Sequence, residues 1–236
     1  MLRRAQWFDA LGLRCSPAVL PRVPLRFLKS ESWDSQLHTL RNDFQRMTDM
    51  GDTDVVRINA RFAAQVGADG YTQGFLYLQR ALSWVFGSDE MMLYWAFVRV
   101  LDMARPYGPL GKTMGGAPDL RWVLRHADPR LDGDLLLDMI GVRWGFIVFS
   151  QTFVQKEQLL AVWDLVVRDA GYVPCVMAAL LSLVRFDDED PMDRLMKTCD
   201  VQVDSVAVTA SVVATARMIM LSRTRSPRGS AAPARR

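Results

Sequence analysis

An all-α fold, a single multi-helix domain of roughly nine or ten short helices, follows from three features of the sequence. Apolar residues recur at spacings of three and four along most of the chain, no segment alternates apolar and polar residues for long, and no repeat occurs at a fixed period. The length of 236 residues, 50% of them apolar, suffices for one large core or two small ones and excludes both a mini-protein and a disordered chain.

Residues 1–32 read as a basic, extended lead-in. Trp7 and Phe8 stand among Arg3, Arg4 and Arg14, and Pro17, Pro21 and Pro24 stop any helix beyond about residue 16. An Arg-rich start also suits a transit peptide or a basic membrane-surface helix, but Asp9 and the scarcity of Ser and Thr count against both.

The helical domain spans 33–222. Leu37, Leu40, Phe44 and Met47 form its first stripe, and Phe75, Leu78, Leu82, Val85 and Phe86 form the second. Ser88, Asp89 and Glu90 cap a third helix carrying Leu93, Phe97, Val100, Leu101 and Ala104, which ends at Arg105-Pro106. The glycines and prolines of 106–118 make a loop. Helices follow over Asp119–Ala127 and after Asp132, where Leu135, Leu136, Met139 and Ile140 recur, and then comes an aromatic run from Trp144 to Phe153.

Leu159, Leu160, Trp163, Val166 and Val167 mark a further helix, with Gly171 as a left-handed stop. Val176, Leu180, Leu183 and Val184 mark the next, before the acidic break Asp187–Pro191. The final helix, Val203 to Leu221, approaches the length of a bilayer span, but Thr209, Ser211, Thr215 and Arg217 interrupt it. Residues 223–236 are expected to be a basic disordered tail.

The net charge of +3 divides unevenly: residues 1–29 and 222–236 each carry +5, which leaves about −7 on residues 30–221. The folded part therefore lacks the footprint of a nucleic-acid binder, and the basic termini are left for peripheral contact with a membrane. Cys15, Cys175 and Cys199 form no CxxC pair, and His38 and His126 lie far apart in polar helical settings, so no zinc, haem or disulfide framework is legible. A reducing, cytosolic compartment fits. Gly111-Lys112-Thr113 ends like a phosphate loop, yet Pro106 stands where its first glycine belongs and no strand precedes it. No Cys, Ser or Thr has a credible histidine partner for nucleophilic catalysis.

One constellation remains. Asp54-Val55-Val56-Arg57 precedes Gly70-Tyr71-Thr72-Gln73-Gly74, which opens a strongly apolar helix; Asp89-Glu90 with Trp95 and Phe97 lie downstream, then Arg143-Trp144, Phe149, Phe153, and Leu159, Leu160, Trp163 and Asp164. In this order they resemble the TBC domain, a family of GTPase-activating proteins for Rab GTPases marked by IxxDxxR and YxQG motifs and a later Trp-Asp pair. The resemblance covers about residues 33–222.

It implies an arginine and a glutamine supplied in trans to a partner's GTP. Arg57 would neutralise transition-state charge, an effect worth on the order of 10³ to 10⁵ in rate, and Gln73 would orient the attacking water. Asp54, one turn before Arg57, would hold the guanidinium; Tyr71 and Gly74 would support the glutamine loop. No cofactor is implied for this chain, because GTP and magnesium would be held by the partner, a Rab-type small GTPase in its GTP form, met in the cytosol or at an endomembrane surface.

Gly51 and Ile58 depart from the family pattern, and only 16 positions separate Arg57 from Gln73, where the family places an additional helix. Arg61 is the alternative arginine. A catalytically inactive TBC-like scaffold and an unrelated all-α interaction module are the alternative functions.

Overall fold

The computed structural model describes residues 2–20, 31–45, 72–108, 116–131, 134–153, 155–183, 190–199 and 202–225. Among these the chain forms ten α-helices: α1 Leu2–Ala10, α2 Glu31–Gln45, α3 Phe75–Phe86, α4 Glu90–Ala104, α5 Ala117–Ala127, α6 Asp134–Ile140, α7 Lys156–Val166, α8 Tyr172–Ser182, α9 Pro191–Cys199 and α10 Val206–Arg225. The only strand-like pairing there is an isolated parallel bridge between Phe153 and Val203. The fold is all-α.

The stripes explain most of the packing. Phe75, Leu78, Leu82 and Phe86 bury one side of α3, and Phe97, Val100, Leu101 and Ala104 bury one side of α4. Asp89 caps α4, accepting from the Met92 N–H at 3.1 Å, and Gly87 closes α3 at φ 67°. α8 is buried from Val173 through Leu181, as a central helix must be, and α10 lies along it through Val212, Ala216 and Ile219. α10 is long and apolar enough to cross a membrane by length and composition; 22% of that stretch is buried in the fold.

Five expectations are corrected. The loop expected over 106–118 is regular at both described ends: Arg105–Tyr107 form a 3₁₀ turn, and α5 begins at Ala117 because Pro118 suits the first turn of a helix. The lead-in is not extended from its start: residues 2–10 are helical, and Trp7 is 1% exposed because it stacks on Trp163 with centroids 5.6 Å apart and donates its indole N–H to Asp164 at 2.7 Å. The basic residues there are partnered: Arg3 reaches Asp164 and Glu157, Arg4 reaches Asp89, and Arg14 reaches Asp9. Gly171 is not a left-handed stop; at φ −60° it precedes α8, its N–H bonded to Asp169 Oδ1 at 2.8 Å. Leu135 and Leu183, assigned to buried stripes, are 72% and 48% exposed, the first at the start of α6 and the second just past the end of α8. The last helix begins at Val206 and continues through Arg225, because Arg223 bonds Asp119 at 2.8 Å and lies 4.2 Å over the Trp122 ring of α5.

The aromatic run is where regular structure gives way. α6 continues into a π-helical turn, Gly141–Phe146. Tyr107, at the end of a 3₁₀ turn after α4, crosses it so closely that a Cβ at Gly145 would meet Tyr107 Cβ at 2.5 Å. Val148 and Phe149 then adopt φ of 48° and 59°.

Candidate functional site

The site is built on the turn that precedes α3. Phe75 N–H donates to Thr72 O at 3.1 Å and Tyr77 N–H to Gly74 O at 3.0 Å, so the helix begins immediately after Gln73-Gly74. Gly74 takes φ 98°, a conformation that side-chain-bearing residues rarely adopt, and a Cβ there would sit 2.7 Å from Ile147 Cγ2. Its N–H donates to Asp43 Oδ2 at 2.9 Å. Asp43 is 1% exposed on α2, so a buried carboxylate and an isoleucine side chain hold the glycine from two directions. Gln73 itself is exposed.

Ile147 belongs to a strained turn, and a left-handed β-branched residue such as Val148 persists only where its surroundings over-determine it. Val148 and Phe149 are both buried; the Trp163 indole donates to Val148 O at 2.7 Å, Phe149 N–H donates to Trp144 O at 2.8 Å, and the Ser150 hydroxyl donates to Ile147 O. From α3, Arg80 Nη2 reaches Ser150 O at 3.2 Å. The Trp163-Asp164 pair thus has two structural tasks: Trp163 props the turn behind Gly74, and Asp164 anchors α1.

Tyr77, Arg80 and Trp84 follow Gln73 at steps of four, three and four residues and share one face of α3. The Arg80 guanidinium lies 5.5 Å from the Tyr77 ring centroid and 5.1 Å from that of Trp84, and Lys156 Nζ stands 6.0 Å from Trp84. This cationic and aromatic row runs along α3, which opens just after the exposed glutamine.

Of the residues expected to act, Gln73 and Gly74 fall within this geometry; Asp54, Arg57, Arg61 and Tyr71 lie outside the described residues. Asp43 was not anticipated. Its signal was present, since it falls three residues after Leu40 on the apolar face of α2, where a carboxylate has to find a hydrogen-bond donor. Chemically, an amide held at this turn can accept from a water with its carbonyl and donate to an anion with its NH₂. Among the described residues there is no group of three or more His, Cys, Asp or Glu able to hold a metal ion. No protein-family model matches the chain, and a search of curated proteins finds no match.

Proposed function

We infer that the chain is a compact TBC-type protein that accelerates GTP hydrolysis by a Rab-type small GTPase. The observation that carries this reading is Gln73: an exposed amide directly before a glycine pinned by Asp43 and Ile147, at the start of an apolar helix. Orienting water for attack demands a group fixed in space, and this mount supplies the fixity. The ordered motifs from Asp54 to Asp164 and the all-α architecture support the same reading.

In this mechanism Gln73 replaces the partner's own water-orienting residue. Its carbonyl accepts from the attacking water and its amide donates to the γ-phosphate. An arginine from the preceding motif, Arg57 or in its place Arg61, neutralises the charge that develops on the phosphate oxygens. The partner holds the nucleotide and magnesium.

Single-turnover GTP hydrolysis over a panel of GTP-loaded Rab proteins tests this, with wild type, Gln73→Ala, Arg57→Ala and Arg61→Ala compared. Acceleration of at least one Rab is expected, lost in Gln73→Ala and in one arginine variant by on the order of 10²-fold or more. GTP-dependent binding without acceleration would transfer the function to a non-catalytic scaffold.

A further inference from the structure

A cavity of about 530 Å³ opens between the end of α8, α9 and the segment that leads into α10, away from Gln73. Its size falls in the range of small-molecule sites. Among the described residues, Trp144, Leu180, Leu183 and Val203 supply apolar wall, and the charged ones lining it, Arg194 and Lys197, are both cations on α9. Asp193, on the same helix, does not line it. Leu183 is 48% exposed at one edge, whereas Trp144 and Leu180 belong to the buried core.

We propose that this cavity binds a single-chain amphiphile with an anionic head, a long-chain fatty acid. The apolar wall takes the chain, whose methylenes gain by leaving water. Arg194 and Lys197 receive the carboxylate, which keeps its charge where cations and water both reach it. A peptide fits this lining poorly, because its backbone would need a hydrogen-bond partner at nearly every residue and the polar side chains among the described lining residues are few: Thr152, Thr198 and the two cations. A bilayer surface is also disfavoured, since Trp144, at 1% exposure, is reached only by something narrow entering between helices.

The experiment uses the full chain and cis-parinarate, a fluorescent polyene fatty acid, displaced by oleate. Oleyl alcohol supplies the chain without the charge, butyrate the charge without the chain, and vesicles of phosphatidylcholine with phosphatidylserine the membrane source. Saturable binding of oleate at one site per chain is expected, with oleyl alcohol weaker and butyrate inactive. Leu180→Trp, which fills the cavity, is expected to weaken oleate by about tenfold or more, the factor that 1.4 kcal/mol represents. Leu183→Glu, at an exposed position that leaves the core intact, places a negative charge at the mouth and is expected to weaken oleate more than oleyl alcohol. Arg194→Gln with Lys197→Gln should abolish the preference for oleate over the alcohol. Non-saturable uptake, affinity unchanged in both leucine variants, or binding to the vesicles without binding to oleate would each overturn the proposal.

Discussion

The indole N–H of Trp163 and the carbonyl of Val148 meet at 2.7 Å, tying α7 to a residue whose backbone lies in the left-handed region. A buried carbonyl that loses its donor costs about 1–3 kcal/mol, and here the loss also releases a strained turn. Trp163→Phe is therefore expected to destabilise by at least that amount. In addition, it should loosen the support of Gly74 through Ile147. Urea unfolding measures the first effect, and hydrogen exchange of the Gly74 and Phe75 amides the second.

Gly74→Ala meets two penalties. A left-handed non-glycine residue costs about 1–3 kcal/mol. The overlap of its Cβ with Ile147 Cγ2 adds about 1–3 kcal/mol more. Trimming the neighbour in Gly74→Ala/Ile147→Ala removes the overlap but not the backbone strain. A double-mutant cycle should return a favourable coupling of about 1 kcal/mol or more, and strict additivity would show that the two side chains do not touch.

Removing the anchor of α1 should cost more than its position near the terminus suggests. Trp7→Ala is expected to lower stability by about 3–5 kcal/mol, the range of a buried aromatic truncation. Asp164→Asn keeps the acceptor for the Trp7 indole but discards the charge facing Arg3, which is partly exposed, so its effect should be far smaller. Thermal unfolding of the two variants side by side decides the order.

Burial, and then the negative charge of Asp119, push the Tyr107 hydroxyl above its ordinary value. A group whose folded value exceeds its unfolded value contributes fully below the unfolded value, about 10 for tyrosine, and loses its contribution as pH climbs past it. Wild type should therefore lose stability above about pH 10 more steeply than Tyr107→Phe. Equal slopes in denaturant titrations across that window would rule this origin out.

Burial raises the Cys175 thiol above its ordinary value, and its sulfur contacts Gly171 O at 3.4 Å and Met220 Sδ at 3.9 Å. Cys199 is buried as well, whereas Cys15 is exposed. Iodoacetamide near neutral pH should label Cys15 in the native protein and the other two only after denaturation, as read by peptide mass spectrometry. Labelling of Cys175 at the rate of Cys15 would contradict the packing of α10 on α8.

The parts of the fold that were readable in advance are those fixed by nearest neighbours along the chain. The stripe of α3, the Asp89 cap and the stop at Arg105-Pro106 depend on spacings of three or four residues. Residues 2–10 were misread because Trp7 becomes helical and buried through partners at 163 and 164, which no local pattern reveals. Periodicity alone places Leu183 inside, yet the periodic stripe runs past the end of α8 at Ser182 and leaves Leu183 at the cavity edge. At the candidate site, Gln73 and Gly74 were legible as a motif. Their support is less so: Asp43 stands out only as a carboxylate on an apolar helix face, and nothing in the run from Trp144 to Phe153 marks Ile147 and Val148 as a turn packed behind Gly74.

The union of Arg3 and Trp7 with Asp164 also sets a schedule for synthesis. A ribosome adding about 5–20 residues per second releases α1 first and α7 roughly 8–30 seconds later. Throughout that interval the nascent chain carries a tryptophan and an arginine, Trp7 and Arg3, whose shared acceptor Asp164 has not been made, whereas the Asp89 partner of Arg4 arrives earlier. α1 thus completes its docking only after α7 has been made, long after its own synthesis. Fusing a bulky, fast-folding domain directly ahead of Leu2 would crowd this late docking step, whereas a long spacer there would relieve it.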